Sequence, residues 1–262
     1  MRDPFKIDSP TCISFSGERT SAYMLWRVLQ ANGGLPNEAI VCFANTGKED
    51  EATLRFVRDC AVNWAVPITW VEYRTEAPGY AVVDFDTASR NGEPFEAMID
   101  RKKYLPNAIE RFCTHELKNK PITKYSGLVE DETMIGVRAD ESIRIPKMRA
   151  RGFMLPLVTS KITKREVNAF WQSHSFDLEL ESNGSVTPQG NCDLCFMKGP
   201  LQIRSLVGDK PSRAIWWAKQ EAKIGAVFRS DRASYQAMLD NAHNQADAFG
   251  YDDDGIACYC GD

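Results

Sequence analysis

Short apolar runs alternate with longer amphipathic stretches through the first half of the chain. Cys12 to Phe15, Ala39 to Phe43 within Glu38–Ala44, and Ile68 to Tyr73 read as strands. Between them, Ala22–Leu29 and Glu51–Val62 carry helical patterns, the first stopped by Gly33-Gly34. A fourth strand is expected at Thr133–Val137. Strand–helix alternation of this kind predicts a parallel sheet flanked by helices, an α/β fold. The stretch from Glu76 to Pro94 is broken by Pro, Gly, Asp and Asn and reads as a loop-rich excursion, with a helix over Pro94–Lys103. Beyond it the pattern turns mainly helical, from Thr163 through Trp171, then over Leu201–Val207, Ser212–Lys223 and Arg232–His243. A Gly/Ser/Pro/Asn linker, Ser182–Asn191, separates the first of these from the rest. Trp216-Trp217 reads as packing between helices.

Open parallel sheets bind ligands at the carboxyl ends of their strands. Three polar segments stand at such ends. Ser16-Gly17-Glu18-Arg19-Thr20-Ser21 follows the first strand and enters a helix. Backbone N–H groups, the helix dipole and the Ser and Thr hydroxyls make this a candidate phosphate cradle. It lacks the Gly-Lys-Ser/Thr of a Walker loop and the Gly-x-Gly-x-x-Gly of a dinucleotide fold. Asn45-Thr46-Gly47 follows the second strand, and Arg138-Ala139-Asp140-Glu141-Ser142-Ile143-Arg144 follows the fourth. Arg138 and Arg144 suit phosphate or sulfate, since guanidinium forms forked charge-assisted hydrogen bonds.

The chain has 262 residues, 43% hydrophobic and 26% charged, as in an ordinary globular protein large enough to bury a full core. No apolar run is long enough to span a membrane, and the N-terminus lacks a signal-peptide stretch, so a cytoplasmic protein is expected. A net charge of −4 favours a small anionic substrate over a protein devoted to gripping nucleic acid. Eight cysteines in such a chain do not predict a disulfide framework. Cys12, Cys42 and Cys60 read as small buried hydrophobes. Cys113, Cys192, Cys195, Cys258 and Cys260 lie in polar, loop-rich settings. Cys192-x-x-Cys195 brings two thiolates together in a turn, a spacing that fits zinc, iron–sulfur or a redox dithiol.

Together these segments resemble the phosphoadenosine phosphosulfate (PAPS) reductase family of the adenine nucleotide α-hydrolase, or PP-loop, superfamily. Ser16, Gly17 and Ser21 fall on the PP-loop pattern, while Glu18 stands where a second Gly is usual and Thr20 where Asp is usual. Phe43 to Leu54 resembles the family's Asn-Thr-Gly segment. Cys113 to Pro121 resembles its cysteine–lysine segment, with Phe112 where an adjacent cysteine is common. Gly136 to Arg144 resembles its Gly-x-Arg-x-Asp-Glu-Ser-x-x-Arg motif. The resemblance implies an adenine nucleotide α-hydrolase-like, Rossmann-like sheet. It divides the chain into a PP-loop nucleotide-binding domain at 1–158 and a helical region at 159–262 that carries the CxxC and the cysteine tail.

The resemblance further implies an enzyme that binds an adenine nucleotide (PAPS, its unphosphorylated relative APS, or ATP) through Ser14, Ser16, Gly17, Arg19, Thr20, Ser21, Asn45, Thr46, Gly47, Arg138 and Arg144. It implies a [4Fe-4S] cluster, with zinc as the alternative, on Cys113, Cys192, Cys195 and one of Cys258 and Cys260. Sulfate reduction to sulfite would use Cys260 as the thiol and Arg138 at the sulfate, with thioredoxin or glutaredoxin as electron donor. In the family the thiol lies in Glu-Cys-Gly-(Ile/Leu)-His; here Cys260-Gly261 matches and Tyr259 replaces the Glu. The alternatives are ATP-dependent, cluster-assisted thiolation of nucleic acid, and a non-catalytic nucleotide-binding redox sensor. No membrane partner is implied, and a dimer is compatible with the pattern.

Overall fold

A computed structural model describes residues 3–181 and 187–242. Five strands form one sheet: β1 (Thr11–Phe15), β2 (Ala39–Asn45), β3 (Thr69–Tyr73), β4 (Tyr80–Val83) and β5 (Thr133–Ile135), in the order β4-β3-β2-β1-β5. β1 pairs in parallel with β2 and β5, and β2 with β3; β4 is antiparallel to β3 at the edge. The chain moves outward from β1 to β2 and β3, then returns to place β5 on the other side of β1. That reversal is a topological switch point, and it opens a crevice at the carboxyl end of β1.

The helices cover both faces. They are α1 (Arg19–Asn32), α2 (Glu51–Asn63), α3 (Glu93–Lys102), α4 (Phe112–Thr114), α5 (Lys120–Ser126), α6 (Arg144–Ala150), α7 (Pro156–Thr159), α8 (Lys164–Ser173), α9 (Pro200–Asp209), α10 (Ser212–Ile224) and α11 (Tyr235–Ala242). A single π-helical turn, His115–Asn119, joins α4 to α5. Period-2 alternation sorts β1: Ile13 and Phe15 enter the main core with α1, α2 and α8, while Cys12 meets Ile122 of α5 on the other face. Gly33 ends α1 in the left-handed conformation (φ 72°), its N–H returning to Leu29 O. Asp50 caps α2 by accepting from Ala52 N at 2.9 Å.

Three features depart from the sequence reading. The excursion at 76–94 contains β4, the polar segment after β5 runs at Arg144 into α6, and β5 ends at Ile135 instead of Val137. The packing also crosses position 158. Val167, Trp171 and Leu178 belong to the core of the sheet, whereas Phe95 and Leu117 belong to a second core with Cys192–Met197 and the α9–α11 helices. No helix among the described residues is long and apolar enough to cross a membrane.

Candidate functional site

Three residues, Ser16, Gly17 and Glu18, connect β1 to α1 at the switch point. The loop is held by its own hydroxyls. Ser16 Oγ lies 2.8 Å from Ser21 Oγ, Ser16 N donates to Ser21 Oγ (3.2 Å), and Ser21 Oγ donates to Glu18 O (2.9 Å). Gly17 has φ +78°, and a Cβ there would lie 2.7 Å from Thr53 Cγ2 and 3.0 Å from Val57 Cγ2. Glycine is therefore required here by the close approach of α2 and by the left-handed backbone. The Glu18 side chain makes no capping hydrogen bond to the first turn of α1.

Arg138, which leaves the end of β5, reaches across the crevice and donates from Nη1 to Thr20 Oγ1 at 2.9 Å. Its guanidinium also pairs with Asp140 (3.1 Å) and Glu141 (3.5 Å). Ser16, Gly17, Thr20, Ser21 and Arg138 thus form one cluster. Ser14 and Arg144 do not join it. They line a separate cavity of about 50 Å³ on the α5 side of the sheet, with Thr114, Asn119, Thr123 and Met148. That volume holds a few waters but not a nucleotide. Arg144 is buried and pairs with Glu141 at 2.6 Å, so this carboxylate bridges the two arginines.

Arg19 has a different job from the anion contact expected of it. Its fork grips Asp177 (2.7 and 2.9 Å) and its Nη2 donates to Leu178 O (2.6 Å), pinning the segment after α8 to the start of α1. Asn45 is also committed internally. Fully buried, it donates to Glu72 Oε1 (2.7 Å) and Ser89 O (2.8 Å) and accepts from Gly47 N (3.1 Å). Its amide shapes the turn instead of facing a ligand. Gly47 (φ +76°) lies against Gly92 and Pro94, where a Cβ would sit 3.1 Å from both.

This Asn-Thr-Gly turn is the platform for the CxxC loop. Thr46 Oγ1 donates to Glu49 and lies 3.6 Å from Cys192 Sγ. Asp193 N donates to Lys48 O (2.7 Å), while Lys48 Nζ pairs with Asp193 Oδ2 (3.0 Å) and lies over the Trp216 ring (5.0 Å). Lys118, on the π turn, approaches Glu49 at 3.7 Å. Nearby, burial alone would raise Glu116, but hydrogen bonds from Lys102 and Lys120 outweigh it and hold its carboxyl below the usual range. A second tether comes from the phosphate-type loop itself. Glu18 Oε1 accepts from Asn191 N at 2.8 Å, one residue before Cys192.

Cys113, Cys192 and Cys195 all sit in the second core, 8%, 8% and 6% exposed, and not in the polar settings their flanking residues suggest. Cys192 and Cys195 share one turn and Cys113 comes from α4; thiolates are soft donors of the kind iron or zinc takes. No group of three or more His, Cys, Asp or Glu among the described residues is arranged as a metal site. Cys258 and Cys260 lie outside the described residues. Cys12, Cys42 and Cys60 are buried. The Cys42 thiol is pushed up strongly by its hydrogen bond with Cys12 and by burial, and Cys60 by burial. They are inert core residues.

Sequence reasoning overlooked Lys48, Glu49 and Asp193, and treated Glu18 only as a departure from a pattern. The available signal was position: each is a charged residue adjacent to a glycine turn or a cysteine, where an exposed charge has little room.

No family model matches the chain. It is similar to the uncharacterized nin region protein ORF290 of Escherichia phage lambda, with 33% identity over 204 residues, covering 73% of this chain and 67% of the phage protein. The chain belongs to the family of that phage protein. The match establishes kinship and leaves the activity to be argued from the site.

Proposed function

We propose that the protein is a PAPS reductase-like enzyme that binds an adenine (sulfo)nucleotide at the β1 switch point and transfers sulfur or reduces its sulfate to sulfite. One observation carries this reading: the Arg138–Thr20 contact puts a guanidinium from the end of β5 on the first turn of α1, beside the Ser16–Ser21 loop. Phosphate and sulfate call for this combination of an uncapped helix N-terminus and a forked cation. The loop is also tied through Glu18 to the segment bearing Cys192 and Cys195, which supports a reading in which nucleotide and thiols serve one site.

In this reading Arg138 neutralises the departing charge as the Cys260 thiolate attacks the sulfate sulfur. The S–O bond to the nucleotide phosphate breaks, and a cysteine S-sulfonate remains. A dithiol donor of the thioredoxin or glutaredoxin class then releases sulfite, its own thiols being oxidised to a disulfide. Cys113, Cys192 and Cys195 are the residues that would hold an iron–sulfur cluster, which would supply a redox-capable centre. Lys48, Glu49 and Thr46 position the turn that presents Cys192.

The test is purification without air, followed by iron and sulfide analysis, titration with PAPS, APS and ATP, and a sulfite assay with a reduced dithiol protein. Adenine-nucleotide binding that Arg138→Ala weakens by roughly 1.5–3 kcal/mol is expected from the loss of a charge-assisted bond. Absence of nucleotide binding to the folded wild-type protein would overturn the reading.

A further inference from the structure

We infer that the face made by the α3–α4 connection, α5 and α6 is a docking surface for single-stranded nucleic acid. This holds whether or not the β1 crevice takes a nucleotide. The net charge of −4 conceals an uneven distribution. Residues 101–151 carry 12 Lys and Arg against 7 Asp and Glu, a surplus of five cations, so the other 211 residues have a deficit of nine. An acidic chain with one strongly basic segment suits a polyanion that meets it on one face only.

The fold gathers that segment. Lys102 and Lys120 both pair with Glu116, at 3.0 and 3.1 Å, which ties the end of α3 to the start of α5. Thr114, Asn119 and Thr123 share the walls of the cavity of about 50 Å³ with Arg144, Met148 and Arg151, so α4 and α5 lie beside α6. Arg144 and Met148 are the buried positions of α6, while Lys147, Arg149 and Arg151 are exposed. Arg101, Lys103 and Lys124 are exposed as well. The carboxylates of the segment are largely neutralised in place: Glu116 by its two lysines, Glu130 by Arg151, and Asp140 and Glu141 by Arg138 and Arg144. Surface pairs of this kind rearrange at little cost, and the cations outnumber the acids.

An aromatic ring decides between polyanions. Tyr104 is 41% exposed, its ring 4.7 Å from that of Phe112, over which Lys102 Nζ lies at 5.5 Å. A ring backed on one side, open to solvent and set among cations is a platform for an unpaired base, with the adjoining phosphates matched by Lys103 and its neighbours. A duplex keeps its bases stacked on one another, and an acidic peptide or a lipid headgroup has no base to offer.

The experiment is fluorescence anisotropy of the full chain with labelled single strands of DNA and RNA of about 20 nucleotides and with the matching duplex, repeated from about 50 to 200 mM salt. Polyglutamate and anionic phospholipid vesicles serve as competitors. Single strands should bind at least tenfold more tightly than duplex, with an affinity that falls steeply as salt rises, and neither competitor should displace them. The triple variant Lys103→Glu/Lys147→Glu/Arg149→Glu should weaken binding at least tenfold and flatten the salt dependence. Arg165→Glu, at an exposed cation on α8 outside the segment, should change it less than twofold. Tyr104→Ala should weaken binding at least threefold with the salt dependence unchanged, and Tyr104→Phe should restore it. Absence of single-strand binding by the folded wild type, preference for duplex, or displacement by polyglutamate or vesicles would overturn the proposal without any variant. An equal loss in Arg165→Glu, or a Tyr104→Ala effect that Tyr104→Phe leaves in place, would overturn it too.

Discussion

Removal of the Asp193 carboxylate should be among the most damaging single changes to the fold. Lys48 and Asp193 form a 3.0 Å ion pair with side chains only 6% and 10% exposed. Asp193 Oδ1 also accepts from Trp217 Nε1 (2.9 Å) and Leu194 N (2.7 Å). In Asp193→Ala, the Lys48 ammonium loses the acceptor that offsets its burial, a loss of about 3–5 kcal/mol. The Trp217 indole N–H is orphaned as well, about 1–3 kcal/mol more if nothing relaxes. The two losses share one site and will not add fully, so about 4 kcal/mol is expected. That is a large part of a typical domain's stability, on the order of 5–15 kcal/mol. Lys48→Met should cost less, because the stranded carboxylate keeps its two N–H donors. A paired Lys48→Met/Asp193→Leu replacement should recover most of the ion-pair loss. Urea unfolding of the wild type and the three variants gives the three costs. An Asp193→Ala cost below about 1 kcal/mol, or a Lys48→Met cost exceeding that of Asp193→Ala, would refute the argument that this pair anchors the CxxC loop.

Three further outcomes follow from the geometry. Gly17→Ala should destabilise by roughly 2–3 kcal/mol through positive-φ strain and the clash with Thr53 Cγ2, and thermal unfolding in a Thr53→Ser background should recover part of this. Glu72→Gln should cost roughly 2–4 kcal/mol, because this fully buried carboxylate accepts from Asn45, Ser89 and Arg74; faster hydrogen exchange at Gly47 and Ser89 would report the loosened turn. His174 accepts from Trp64 Nε1 (3.3 Å) among Phe170, Trp171 and Phe176, and burial holds its pKa below the usual value, outweighing the pull of Asp177. Its folded pKa is the lower one, so the unfolded chain binds the proton first and stability falls as pH drops below about 6.5. His174→Gln should flatten that part of a pH series of unfolding midpoints.

The parallel strands were legible because β1, β2 and β3 are buried on both faces and read as apolar runs. β4 was not, because Tyr80–Val83 is a short edge strand entered through Pro78-Gly79, where turn residues dominate the pattern. α6 was hidden by Pro146 and by a run of cations that resembles a ligand loop more than a helix. Among the site residues, the residue types were legible and their partners were not. Arg19 and Arg138 are both arginines beside a candidate phosphate loop. What separates them is that Asp177 lies 158 residues from Arg19 in sequence yet 2.7 Å away in space. Asn45 is similar: its side chain satisfies a buried carboxylate 27 residues on. A buried polar side chain must find a partner, and which partner depends on the tertiary fold.

The two departures from the PP-loop pattern acquire a common meaning in this packing. A second glycine at position 18 would leave the Asn191 N–H without its acceptor, and an aspartate at position 20 would meet Arg138 as an ion pair instead of a hydroxyl contact. In this chain both positions connect the loop to other parts of the protein, Glu18 to the CxxC approach and Thr20 to the end of β5. A hydroxyl at 20 gives the Arg138 guanidinium a neutral acceptor, where a carboxylate would add a third acidic partner to Asp140 and Glu141.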